Sequence, residues 1–184
     1  MQLLKRVIRK AKVIFNGYVC DAECGNEINV SKGCLIDKQS QVGSYTFINT
    51  NTIVTKAKIG SYCSIGSNVV IGPGEHDLTK VSTSGRFYND TYKELTKADC
   101  IIGNDVWIGT YAIIMRGINV GDGAVIGANS VVTKDVPDFA VVAGVPAKII
   151  KFRFDDDKQN KIKNSNWWSL ELTDARLKIK SLEM

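Results

Sequence analysis

From Ile59 onward an aliphatic side chain returns at every sixth position. Ile59, Ile65 and Ile71 keep the beat, and after a gap Ile102, Ile108, Ile114, Val120, Ile126 and Val132 resume it. All nine are Ile or Val, although these types fill only 38 of the 184 positions. Gly follows in seven of the nine repeats, and the fifth position is small or β-branched in eight, from Cys63 and Val69 to Ser130 and Val136. The beat extends back through Val30, Ile36, Val42, Ile48 and Val54, with one five-residue step between Val54 and Ile59. A period of six fits neither a helix at 3.6 residues nor a strand alternating at two. It fits a solenoid of triangular cross-section in which each hexad supplies a short strand and a corner. The aliphatic residue points inward and stacks on its counterpart one coil away, at about 4.8 Å. Three hexads make a coil, so Ile108 is expected beneath Ile126 and Val120 one side further round. The Gly after each aliphatic residue is expected to supply corner angles that a Cβ would forbid.

This pattern predicts a β-helix over residues 28–150, interrupted by a loop at 74–101, between an N-terminal segment (1–27) and a helical tail (151–184). Within the loop, DLTKVSTSGRFYNDTYKELTKADC carries no hexads. A loop of that length in a compact domain is usually functional or disordered. In the tail, the acidic run at Asp155 starts one expected helix, Thr173 and Asp174 a second. Trp167 and Trp168 are expected to pack on the solenoid and hide its last edge. Residues 3–15 show helical apolar spacing (Leu3, Leu4, Val7, Ile8, Ala11) with Lys5, Arg6, Arg9, Lys10 and Lys12 between. Such a basic helix caps an open solenoid end, or lies in peripheral contact with an anionic membrane.

Composition narrows the chemistry. A net charge of +5 does not by itself suggest nucleic acid, and no apolar run reaches the length of a membrane span. Five cysteines without a CxxC pair argue against a zinc ribbon or a full disulfide framework. The N-terminal segment lacks the apolar core of a signal peptide, so the chain reads as soluble and cytoplasmic. His76 is the only histidine, which closes every mechanism needing several imidazoles, three-His zinc sites among them. No metal is expected. His76 stands at the sixth position of the Ile71 hexad, where the coil opens into its loop.

The segment IGNDVWIGTYAIIMRGINVGDGAVIGANSVVTKDVPDFAVVAGVPAKII (102–150) resembles the C-terminal coils of the maltose, galactoside and xenobiotic acetyltransferases. The chain is therefore similar to the hexapeptide-repeat acyltransferases over residues 30–150. The resemblance implies an all-β solenoid with the left-handed parallel β-helix fold, a protruding loop and a short C-terminal helical tail. It also implies acetyl-CoA as co-substrate and a homotrimer with active sites between subunits. Carried over by motif, the cofactor contacts are Trp107, Gly109 and Thr110 of WIGT, Ala128 of IGA, Thr133 and Lys134 of VVTKD, and Lys148 and Lys151. As the sole imidazole, at the mouth of the one interruption, His76 is expected to take the proton of an acceptor hydroxyl as that oxygen attacks the thioester carbonyl of acetyl-CoA. Glu75, Asp77 and Asp99 are candidates to orient its ring, and backbone N–H groups near the Gly109 turn to hold the oxyanion.

The loop side chains Ser82, Thr83, Arg86 and Tyr88 suit polar and stacking recognition of a sugar-type acceptor. The leading expectation is O-acetylation of a sugar hydroxyl in a cell-surface polysaccharide or its precursor. Acetylation of an antibiotic hydroxyl, N-acetylation of a nucleotide-linked amino sugar and a non-catalytic scaffold are the alternatives. The scaffold reading finds no support in a threonine row of the ice-binding kind.

Overall fold

The computed structural model describes residues 19–183, with backbone alone at Val19 and Cys20; the expected basic helix at 3–15 lies outside the described residues. The chain winds as a left-handed parallel β-helix of about 7 turns. Strands of two or three residues stack into three parallel sheets. The first sheet contains Leu35–Ile36, Ile53–Val54, Val70–Ile71, Ile113–Ile114 and Val131–Val132. The second contains Gln41–Val42, Ala57–Ile59, Cys100–Ile102 and Asn119–Val120, and the third Phe47–Ile48, Ser64–Ile65, Trp107–Ile108 and Val125–Ile126. Ile108 pairs with Ile126 as the period requires, whereas Val120 lies two sides on from Ile108, one sheet before Ile126, and not one side further round. All nine aliphatic positions of the repeat are buried.

The winding starts before residue 28. Val19–Cys20 pairs with Leu35–Ile36, and Glu23–Cys24 with Gln41–Val42. These strands escaped the periodic reading because Cys20 and Cys24 hold the register positions where later coils carry Ile or Val.

Glycine acts differently from expectation. Except at Gly72, the left-handed backbone falls not on the residue after the aliphatic one but two further on, where Tyr45, Asn51, Tyr62, Asn68, Asp105, Tyr111 and Asn129 take φ between 54° and 62°. The Gly after the aliphatic residue is required by close approach. A methyl on Gly103 would lie 2.7 Å from the Asp122 amide nitrogen, and one on Gly109 only 2.5 Å from that of Ala128. Corners of successive coils touch backbone to backbone. Inside them, small polar residues serve as rivets: Thr46 Oγ1 donates to Gly60 O at 2.9 Å and accepts from the Cys63 N–H at 3.1 Å. Thr52 does the same one side further on, with Gly66 O and the Val69 N–H.

The last coil ends in a hairpin. Ala140–Gly144 adds to the third sheet, and Ala147–Phe152 returns antiparallel beside it, with a bulge that leaves Ile150 unopposed. The loop carries one short helix, α1 (Thr91–Leu95). The tail forms α2 (Asp156–Ser165), capped by Asp155, whose carboxylate accepts from the Lys158 N–H at 2.9 Å. A 3₁₀ turn at Trp167–Ser169 and α3 (Leu172–Glu183) follow. Trp167 and Trp168 pack with Phe139, Ile162 and Ala175 against a lateral corner of the solenoid, so they cover a flank and not the last edge. The tail runs back past the first coils: Tyr62 Oη donates to Leu170 O at 2.8 Å, and Asn26 Nδ2 to Glu171 at 3.3 Å. Among the described residues no helix is long and apolar enough to cross a membrane.

Gly103→Ala should cost about 2 kcal/mol by forcing two coils apart. Gly85→Ala, whose new methyl would meet only Thr91 Cγ2 at 3.5 Å, should leave thermal unfolding nearly unchanged. Thermal melts of the two variants beside the parent check this.

Candidate active site

The loop leaves the first sheet after Ile71 and rejoins the second at Cys100. Its departure is a tight corner, with Gly72 at φ +67°. Behind it, Tyr92 of α1 donates to Asp37 Oδ2 at 2.6 Å, and Lys56 Nζ donates to Thr96 O at 2.6 Å. Burial, then the Asp37 carboxylate, pushes the Tyr92 phenol up to about 12. The phenol therefore remains a donor across the neutral range. The loop is thus fastened to the coil along its return limb, while the 78–87 tip stands outward, with Leu78, Val81 and Phe87 exposed.

His76 is exposed at the mouth of this loop, and its Nδ1 lies 2.5 Å from the carbonyl oxygen of Thr83. A carbonyl only accepts, so Nδ1 carries the proton and Nε2 keeps its lone pair. The ring is oriented by the backbone and by none of the three carboxylates considered from sequence. Asp77 accepts from the Thr79 hydroxyl and amide and from Lys97 at 3.3 Å. Asp99 lies between Lys56 at 3.5 Å and Lys58 at 3.6 Å. Glu75 joins the loop base through its N–H, which donates to Leu95 O at 2.9 Å.

Thr83, Ser82 and Arg86 stand in the tip, Ser82 half-buried and the other two exposed, and Thr83 meets the histidine through its main chain. Tyr88 is buried. Its ring centroid is 5.9 Å from that of His76, its hydroxyl accepts from the Asp77 N–H at 3.2 Å, and Lys80 Nζ lies 4.1 Å over its face. Tyr88 is placed as a support under the imidazole and presents little surface to an acceptor.

The residues matched to cofactor binding fall into two groups on the coils. Gly109, Thr110 and Ala128 stack at the corner joining the third sheet to the first, with Trp107 exposed on the third sheet just before it. The Gly109 N–H donates to Ile126 O at 2.8 Å, so that amide is committed to the coil and does not face an oxyanion. Thr133, Lys134 and Lys148 line a cleft of about 320 Å³ at the end of the solenoid, together with Val132, Pro146 and Ile149. Two ammonium groups beside a threonine hydroxyl suit an anionic phosphate. Lys151 lies further along the same terminal strand, opposite Val141. His76 follows the first-sheet strand Val70–Ile71 and the Thr110 corner precedes the first-sheet strand Ile113–Ile114, so the two lie at opposite ends of the strands of that sheet. Sequence reasoning passed over Arg116, which lies at the corner where the loop leaves the coil and donates to main-chain carbonyls on both loop limbs. Its position in a hexad gave no signal of this. Among the described residues no three His, Cys, Asp or Glu side chains group to hold a metal ion.

A triangular coil with one long loop presenting a single imidazole defines a hexapeptide-repeat transferase. Residues 99–134 match the family described as bacterial transferase hexapeptide (six repeats). The chain is 47% identical over 121 residues to a chloramphenicol acetyltransferase of Agrobacterium fabrum, covering 60% of this chain and 58% of that protein. It is 35% identical over 136 residues to a probable macrolide acetyltransferase of Lysinibacillus sphaericus, covering 68% of this chain and 73% of the relative. A Vibrio cholerae hexapeptide-repeat acetyltransferase solved with acetyl coenzyme A superposes with a TM-score of 0.60 at 27% identity, over 82% of this chain and 79% of that one. The chain belongs to the hexapeptide-repeat acetyltransferase family. It spans 58–62% of the length of the chloramphenicol acetyltransferases it matches.

The Thr79 hydroxyl and amide, and then Lys97, hold the Asp77 carboxyl at about 2. A lowered folded-state value means that this turn contributes stability above the ordinary carboxylate range and loses it as pH falls through about 2. Carbon-detected titration of Asp77 should give a midpoint near 2, moving toward 3.8 in Thr79→Val.

Proposed function

We propose that this chain is an acetyl-CoA-dependent O-acetyltransferase in which His76 is the general base. The observation that carries the reading is the Nδ1 contact with the Thr83 carbonyl, which leaves Nε2 as the basic nitrogen of the chain's sole imidazole. Nε2 takes the proton of an acceptor hydroxyl as that oxygen bonds to the thioester carbonyl carbon. On collapse the carbon–sulfur bond breaks, and the imidazolium returns the proton to the departing thiolate. The products are an acetyl ester and free CoA. Thr133, Lys134, Lys148 and Lys151 are the groups assigned to the phosphates, and Trp107, Thr110 and Ala128 to the acyl-bearing arm. The lysines offer point charges where a guanidinium would give a fork.

The acting unit in this reading is a homotrimer. His76 and the Thr110 corner lie at opposite ends of the strands of one sheet, so a neighbouring copy must bring its corner to the histidine. The outer side of the first sheet suits that contact: Leu35, Ile53, Val70, Ile113 and Val131 form an aliphatic stripe. The second sheet instead turns Glu23, Gln41, Lys58 and Asn119 outward, with Ile101 the one aliphatic residue among them. An aliphatic stripe of this kind marks a contact surface.

The acceptor in the leading reading is a sugar hydroxyl of a cell-surface polysaccharide or its precursor, met by Ser82 and Arg86. A second reading, an antibiotic hydroxyl, is favoured by the exposed Leu78, Val81 and Phe87 on the same loop and by the likeness to chloramphenicol and macrolide acetyltransferases.

CoA release is to be followed with oligosaccharides, nucleotide-linked amino sugars, chloramphenicol and macrolides. Acceptor-dependent release is expected from the parent, with kcat lowered about 10²–10⁴-fold in His76→Ala. Full activity of that variant on a hydroxyl acceptor would overturn the base assignment. Ile53→Asp should convert the trimer to monomers in light scattering and abolish transfer; a monomeric parent with full activity would sink the shared-site reading.

A further inference from the structure

The side chain with the most unusual surroundings in this fold is Arg116. Among the described residues it bonds to no carboxylate. Nε donates to Pro73 O at 3.3 Å, and Nη1 to Thr55 O at 3.0 Å, Lys56 O at 3.3 Å and Ala98 O at 3.1 Å. Nη2 donates to Gly72 O. A guanidinium has five N–H donors in a rigid planar fork; here Nε and Nη2 each meet one main-chain carbonyl, and the two N–H bonds of Nη1 are shared among three. Gly72 and Pro73 begin the outgoing limb of the loop, Ala98 ends the return limb, and Thr55 and Lys56 belong to the preceding coil at the same corner. One side chain thus fixes both limbs to each other and to the coil. Gly72 is shaped to admit it: a methyl there would lie 3.0 Å from both Cζ and Nη1 of Arg116.

We propose that Arg116 is a positioning residue for His76, acting through the loop base. This rests on the general-base reading of His76. The path is short. Arg116 holds Gly72 and Pro73, the Glu75 N–H then ties the limb to Leu95 O, and His76 is the next residue. The Nδ1 bond to Thr83 closes the arrangement from the tip. With the base fastened, Nε2 holds one place relative to the coils; without it, the imidazole samples a range of places. Arg116 also stands 18 residues, one coil, before Lys134 of the anion-binding cleft. All three of its nitrogens meet main-chain carbonyls at the loop base, which is the role the proposal gives it.

The solitary histidine makes the test direct, because selective labelling yields one imidazole spectrum. The parent should show a single sharp Nδ1–H tautomer signal. Arg116→Ala should broaden or split it and erase the tautomer preference, with circular dichroism unchanged. Its kcat should fall about 100-fold, as expected for a displaced catalytic group, with KM for acetyl-CoA within about twofold. Added guanidinium ion should restore part of both the signal and kcat. Arg116→Lys, with three donors on one nitrogen, should fall between parent and Ala, and it serves as the reading if the Ala variant does not fold. A parent-like imidazole spectrum in both variants would overturn the proposal, as would a loss appearing in KM for acetyl-CoA. His76→Ala separates the two readings. If it keeps full transfer activity the base assignment fails, while the spectrum still decides whether Arg116 holds the ring.

Discussion

Every other feature of this protein depends on how closely one coil can lie on the next. Strand pairing sets the spacing at about 4.8 Å, and the corners must tolerate it as well as the flat sides do. At Gly60, Gly66, Gly103 and Gly109 the main chain of one coil rests on that of its neighbour with no room for a methyl group. The inward Ile and Val ladder then fills the prism at uniform depth, and the buried threonines bridge adjacent coils without leaving a polar atom unsatisfied among the described residues. The result is a rigid ruler. Positions 18 residues apart face the same way, which is how Thr110 and Ala128 come to share a corner.

A ruler of this kind has no cavity of its own, so chemistry must be added at an irregularity. The structure has one long excursion and places the one histidine at its root. What distinguishes this loop from a passive insertion is its fastening: Tyr92 to Asp37, Lys56 to Thr96, and Arg116 across both limbs. The tip beyond these ties bears the exposed Leu78, Val81 and Phe87. The loop therefore combines a root tied to the coil with a tip of exposed side chains, and in the general-base reading proposed above the root is where geometry counts. That division suits a family whose members share a coil and differ in the acceptor they take.

The core was legible in the sequence because the repeat is written in side chains: nine Ile and Val positions predicted nine buried residues. The loop was legible as the place where the repeat stops. The glycines were seen but misread, since sequence records the missing Cβ and not whether angle or clearance requires it. The partner of His76 was hidden for a deeper reason. Carboxylates can be searched for by residue type, whereas a carbonyl exists at every position, and only the folded path selects Thr83. Arg116 was missed on the same ground, since its partners are main-chain carbonyls. Tyr88 was legible as an aromatic near the site, but whether its ring faced solvent or lay beneath the imidazole was set by the turn around it.

The returning tail changes the character of the whole molecule. A stack of coils is in essence one-dimensional, each turn sensing only its neighbours and able to unravel from an end. Here α2 and the 3₁₀ turn carry the chain back along the flank until Glu171 meets Asn26, 145 residues earlier, and Tyr45, 126 residues earlier. This link clamps late sequence onto early coils, so the first turns cannot peel away without releasing the last segment of the chain. A structure built like a zip thereby gains the all-or-none behaviour of a globule, with its least regular part acting as the clasp.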